Sequence, residues 1–174
     1  MIFATEAHAG QMRKGTKRPY IIHPKEVAEI VATMTDDEEI IAAAWLHDTI
    51  EDCENVTGEI LQAKFGNRVA AIVIQESEDK SKSWMERKGY TITQLKTEPR
   101  EVQLVALGDK LSNIRDIDRD YPIVGDELWE RFRMKDKQII GWYYKGIQDS
   151  LRKLLGHTEA YKEYSDLVDK IFGE

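Results

Sequence analysis

The chain is poor in cysteine, in net positive charge and in long apolar runs, and each shortage closes off a class of protein. Its single cysteine, Cys53, excludes a disulfide within the chain. Lys and Arg number 25 against 32 Asp and Glu, for a net charge of -7. That balance opposes binding along nucleic-acid phosphates, which needs a dominant basic surface. No apolar run reaches the roughly 20 residues of a membrane span or has the form of a signal peptide. No membrane association is therefore expected, and the cytoplasm is the expected compartment. Alternation of period two, internal repeats, low-complexity tracts and linkers are missing as well. What remains is a single domain over residues 1–174 with 41% hydrophobic residues, enough to bury roughly 70% of its unfolded surface.

Apolar residues recur every three or four positions nearly throughout, which predicts an all-α fold. A helix is expected over residues 1–11, followed by the basic loop "RKGTKRPYI". Pro24 should open a second helix with His23 extended before it. Asp36 and Asp37 should cap a third, placing "DDEE" at its positive end. Helices at 57–65 and 67–76 are parted by Gly66, and "SEDKSK" reads as a loop. Ser83 with Glu86 reads as a capping box, and Pro99 as the start of a long helix through "EVQLVALGDKLSNI". The remainder, with "ELWERF", "IIGWYYKGI" and "YKEYSDLVDKIF", reads as amphipathic helix broken at Gly125 and Gly156. Trp45, Trp129, Trp142, Tyr143 and Tyr144 are expected in the core, and His157 on the surface.

Residues 45–52, "WLHDTIED", end an apolar helix in a histidine and three carboxylates. The C-terminus of a helix carries about half a negative charge, so acids there are repelled by the backbone and by one another. If the turn continues, His47 lies beside Glu51 and Asp48 beside Asp52, a grouping suited to a divalent cation. Asp109 likewise interrupts the apolar face of "VQLVALGDKLSNI", where a buried carboxylate needs a partner. That partner could be a cation, or Arg115 or a lysine. Together His23, His47, Asp48 and Asp109 form a nitrogen and oxygen set suited to Mn, Fe or Zn.

The ordered series "AHAGQMRKGTKRPYIIHP", "AAAWLHDTIED" and "LGDKLSNIRD" resembles the HD-domain phosphohydrolases, in particular the hydrolase domain of the RelA/SpoT alarmone enzymes. The "ESEDKSKSWMERK" segment is similar to that of the small stand-alone branch, the metazoan SpoT homologues. The resemblance covers about residues 1–120, with helices over 121–174 completing the bundle, and this length leaves no room for the synthetase and regulatory domains of the long enzymes. It implies manganese-dependent hydrolysis of the 3′-diphosphate of guanosine tetraphosphate or pentaphosphate, to GDP or GTP and pyrophosphate, as in the stringent response.

Carried over by position, the resemblance makes His23, His47, Asp48 and Asp109 the metal ligands and Glu51 and Asp52 the catalytic pair. Arg13 would lie against the guanine and Asn113 near the ribose, while Lys14, Arg87 and Lys88 would meet phosphates. His8 and Gln11 would play supporting structural roles, and Trp84, from its place near Arg87 and Lys88 in the sequence, could border the nucleotide. The chain departs from the family pattern at Ala106, where many relatives carry a lysine, so one phosphate contact is expected to be absent. The spacing from Arg13 to His23 is also one residue longer than in the long enzymes. Two other readings stay open: a hydrolase of the same chemistry acting on another phosphorylated nucleotide such as NADPH, and a non-catalytic nucleotide sensor.

Overall fold

The computed structural model describes residues 1–77 and 80–173, so two residues of the "SEDKSK" loop lie outside the described residues. The helices are α1 (Ile2–Ala7), α2 (Ile22–Ala32), α3 (Glu38–Leu46), α4 (Thr49–Asp52), α5 (Gly58–Phe65), α6 (Asn67–Glu76), α7 (Trp84–Leu95), α8 (Arg100–Val124), α9 (Lys137–Leu155) and α10 (Glu159–Phe172). A 3-10 helix, Gly125–Arg131, joins α8 to α9. Among the described residues there is no strand, only an isolated antiparallel bridge between Met12 and Pro19 that closes the basic loop. No described helix is long and apolar enough to cross a membrane.

Local chemistry sets most helix starts. Asp37 caps α3 by accepting from the backbone of Glu39 and Ile40, Thr57 caps α5, Thr158 caps α10, and Ser83 with Glu86 closes a reciprocal capping box on α7. Each such cap satisfies backbone donors that the helix itself leaves unpaired, typically for about 1 kcal/mol.

α8 is the axis of the fold, packed against α2, α3, α6, α9 and α10. It buries Leu104, Leu107, Leu111 and Ile114 completely, each such side chain stabilising by roughly 1.5–3 kcal/mol. α2 approaches α8 tightly at Gly108: a Cβ there would meet Val27 Cγ1 and the Val27 carbonyl at 3.1 Å and Val31 Cγ2 at 3.0 Å. That contact brings the start of α2, carrying His23, up to Asp109.

Four expectations are corrected. The first helix ends at Ala7, followed by turns through Gly10, which takes a positive φ of 79°. His23 is helical rather than extended, because α2 already begins at Ile22. Its N–H donates to the Tyr20 carbonyl at 2.9 Å, and Pro24 falls within the first turn, where its missing N–H costs no helical bond. "ELWERF" lies mainly in the 3-10 helix, not in an amphipathic α-helix, and Trp142 is 41% exposed, whereas Trp129, Tyr143 and Tyr144 are buried and Trp45 packs partly buried against the core. His157 is exposed, as expected.

Candidate metal centre and active site

α3 ends at Leu46, and the chain turns through His47 and Asp48 before α4 resumes. The unpaired carbonyls at the buried end of α3 are answered by side chains: His47 Nδ1 lies 2.8 Å from the Ala44 carbonyl, and Thr49 Oγ1 donates to the Leu46 carbonyl at 2.7 Å. A carbonyl only accepts, so His47 carries a proton on Nδ1, and its Nε2 is left to face the carboxylates. His23 arrives from α2 with its ring 5.1 Å from that of His47, centre to centre. Its Nδ1 rests 2.9 Å from Ser112 Oγ on α8.

The two Nε2 atoms are buried and make no hydrogen bond of good geometry among the described residues, yet both face carboxylates. His47 Nε2 is 3.0 Å from Asp48 Oδ2 and 3.7 Å from Asp109 Oδ1. For His23 Nε2 the corresponding distances are 3.4 Å and 3.1 Å. Ring nitrogens and carboxylates this close require a positive charge among them, an ion or a proton. Such separations suit atoms sharing one ion at bond lengths of about 2.0–2.2 Å. The ligand atoms of His23, His47 and Asp109 all lie within 4.8 Å of one another. The residues present therefore fit a divalent metal.

Without an ion the same field acts on a proton. Burial disfavours the His47 imidazolium, but Asp48 and Asp109 outweigh it and lift its pKa well above the ordinary histidine value. Burial likewise opposes ionisation of Asp48 and Asp109. The histidines hold Asp48 well below the usual carboxylate range, and Lys110 together with the histidines does the same for Asp109. A cation and a proton on Nε2 compete for one place.

The centre lies in the wall of a cleft of about 850 Å³, which Glu51 also lines. Asp52 stands outside that lining, with its carboxylate 3.3 Å from Tyr20 Oη. Burial and the charge of Asp48 raise its pKa. Gln11 donates to the Asp52 carbonyl at 2.7 Å and pairs with His8 at 2.8 Å, which gives both the bracing role expected of them. Cys53 ends this turn with its Sγ 3.5 Å from His8 Nδ1. Burial, and the neighbouring Asp52, push its thiol pKa up.

The remaining site residues named from sequence, Arg13, Lys14, Arg87, Lys88 and Asn113, all line the cleft. Arg13 is already engaged: it donates to Asp116 Oδ2 through Nε at 3.0 Å and Nη2 at 2.8 Å, and to Asn113 Oδ1 at 2.8 Å. Asn113 in turn donates to Asp109 Oδ1 at 2.5 Å. Lys88 Nζ sits 4.7 Å over the Tyr143 ring and 6.0 Å from that of Trp84. Arg115, weighed above as a partner of Asp109, instead pairs with Glu26 and Glu163, and Lys110 bonds Asp109.

Three of the cleft residues that the sequence reading passed over bear on the centre. Tyr20 donates to Asp48 Oδ2 at 2.6 Å, Lys110 bonds the other oxygen of Asp109, and Glu76 lines the cleft at the end of α6. Tyr20 carried a signal in its place three residues before His23 in the basic loop, and Lys110 in its place directly after Asp109.

A model described as HD domain matches residues 1–125. The chain belongs to the HD-domain family. It is 35% identical over 164 residues to guanosine-3′,5′-bis(diphosphate) 3′-pyrophosphohydrolase MESH1 of Danio rerio, covering 92% of this chain and 85% of that one. The human MESH1 is 35% identical over 157 residues, at 87% and 84% coverage. Among solved structures, the HD-domain chain superposes on lmo0812 of Listeria monocytogenes with a TM-score of 0.80, at 32% identity, over 87% of this chain and 99% of that one. A metazoan ortholog of SpoT shares the fold with a TM-score of 0.84 at 24% identity, covering 99% of this chain and 93% of that one. An HD domain implies a divalent metal, and His23, His47 and Asp109 offer its site.

Proposed function

We propose that this HD-domain protein is a manganese-dependent hydrolase that removes the 3′-diphosphate of guanosine tetraphosphate or pentaphosphate, with residues 1–174 acting as one domain. The observation that carries the reading is the pair of buried imidazole Nε2 atoms facing Asp48 and Asp109 in the wall of a cleft that also gathers Arg13, Lys14, Arg87 and Lys88. Likeness to relatives named as 3′-pyrophosphohydrolases points to the same substrate.

In the proposed site His23, His47, Asp48 and Asp109 hold the ion, which when bound supplies Lewis acidity and an activated water. The bond that breaks joins the ribose 3′ oxygen to phosphorus, so water loses a proton and the departing oxygen gains one. Glu51, lining the cleft, and Asp52, whose pKa burial and the charge of Asp48 raise, are the pair that handles those transfers. Arg87 and Lys88 on α7 meet one phosphate group and Lys14 the other, while Arg13, held flat by Asp116 and Asn113, lies against the base. Separating the phosphates in this way selects a nucleotide charged at both its 3′ and 5′ ends.

The test is release of inorganic pyrophosphate from guanosine tetraphosphate, beside phosphate from NADPH and GTP, at equal protein and manganese. Pyrophosphate release should dominate. Ready cleavage of NADPH or GTP with negligible pyrophosphate would transfer the chemistry to another nucleotide, and binding without cleavage would make the protein a sensor.

A further inference from the structure

The two histidines at the centre are held differently. His47 Nδ1 leans on a backbone carbonyl, which fixes its tautomer by itself. His23 Nδ1 rests on the Ser112 hydroxyl, which can donate or accept, so something further must decide. Ser112 Oγ donates to Glu26 Oε2 at 2.8 Å. A carboxylate only accepts, so the hydroxyl proton is committed to Glu26 and Ser112 must accept the N–H of His23 at 2.9 Å. The other oxygen of Glu26 accepts from Arg115 Nη1 at 3.0 Å. Arg115 then grips Glu163 on α10 by two parallel bonds, Nε to Oε1 and Nη2 to Oε2, both 2.6 Å.

We infer that the row Glu163, Arg115, Glu26 and Ser112 sets the proton of His23 on Nδ1, which makes Glu26 and Ser112 positioning residues for metal binding and ties α10 to the metal centre. The inference rests on the metal reading given above. If the Glu26 carboxylate is removed, the Ser112 hydroxyl can turn and donate to Nδ1. The imidazole proton then moves to Nε2, where it meets Asp109 Oδ1 at 3.1 Å and Asp48 Oδ2 at 3.4 Å. That tautomer satisfies the carboxylates with no ion present and withdraws the lone pair an ion would use. Metal binding then has to reverse it, and affinity falls. Glu26 and Arg115 are each about one-third exposed, so the row reaches from solvent to the buried ring.

The experiment uses the full chain. Mn²⁺ affinity is measured from the paramagnetic resonance of the free ion, and the His23 tautomer of the metal-free protein from long-range ¹⁵N–¹H correlation. The wild type should show the proton on Nδ1. Glu26→Ala should move it to Nε2 and weaken Mn²⁺ binding by roughly 10–100-fold, the range found when partners of metal-bound histidines are removed. Glu26→Gln, which keeps an accepting oxygen, should restore both, and Glu163→Ala should give a smaller loss in the same direction. The inference is overturned if wild-type His23 carries its proton on Nε2, a measurement that needs no variant. It is equally overturned if Glu26→Ala, its thermal unfolding unchanged, keeps Nδ1–H and an affinity within about twofold of wild type. Absence of Mn²⁺ binding by the wild type would instead defeat the metal reading, and the tautomer measurement would still decide where the proton sits.

Discussion

His47 is the residue on which the centre turns: it satisfies the end of its own helix with one nitrogen and presents the other to two carboxylates. Variants at this scale divide by what they remove. His47→Ala and Asp109→Ala should lose the bound metal in elemental analysis of manganese-reconstituted protein. Glu51→Gln and Asp52→Asn should keep it yet lose at least about a hundredfold in turnover, as removal of a general acid or base does. Retained metal in the first pair, or near-normal rates in the second, would refute the assignment. Glu76 makes a pH prediction. Burial, helped by Asp109 and opposed by Lys110, pushes its carboxyl up to about 8. Between the ordinary glutamate pKa of about 4.3 and that value the native state binds the extra proton, so stability must fall as pH rises through this window. In metal-free protein Glu76→Gln should therefore raise the unfolding midpoint at pH 8 and leave it nearly unchanged at pH 4. His47, Asp48 and Asp109 stood out in the sequence because acids there conflict with a helix end or interrupt an apolar face, and the structure brings His23, His47 and Asp109 together. Glu76 did not, since an acid ending α6 looks like an ordinary solvated residue until the cleft closes around it.

Among the elements, the crossing of α2 and α8 at Gly108 decides whether His23 can reach Asp109. Gly108→Ala would push a methyl group against the Val27 backbone at 3.1 Å. It should cost about 1–3 kcal/mol, as overpacking does, and weaken Mn²⁺ binding as well, measured by thermal unfolding and metal titration. A stable variant of normal affinity would show that the crossing is not limiting. The basic loop is clamped in a comparable way. Gly15, at φ 69°, has no room for a Cβ because the Arg131 side chain lies 2.6 Å from where it would be. Arg131 itself is anchored to Asp120 at 2.6 Å. Helix starts could be read from sequence because caps are local. The helical state of His23, the 3-10 turn and the exposure of Trp142 could not, because each is set by packing between distant segments.

The molecule as a whole is acidic, with a net charge of -7, and concentrates cations where a polyanion would enter. Removing two of them, Arg87→Ala with Lys88→Ala, should lower both turnover and affinity for guanosine tetraphosphate without changing metal content, because a phosphate remote from the reacting bond helps orient it. Loss of metal from this variant would mean that α7 supports the centre itself. The affinity of the wild type should also fall with added salt, since the cleft mouth is open to screening. We assign α9 and α10 to the same domain on the strength of their packing against α7 and α8, although the HD-domain match stops at residue 125.

The thiol of Cys53 lies directly after Asp52, 9% exposed and with its pKa raised. Reaction with an alkylating dye needs both access and a thiolate, so the folded protein withholds each from the reagent. As the chain's only cysteine, it is a built-in reporter. Dye uptake should record how often the turn carrying Glu51 and Asp52 opens, and should slow when manganese is added. Uptake as fast as that of a free thiol, with or without metal, would mean that the turn is open most of the time.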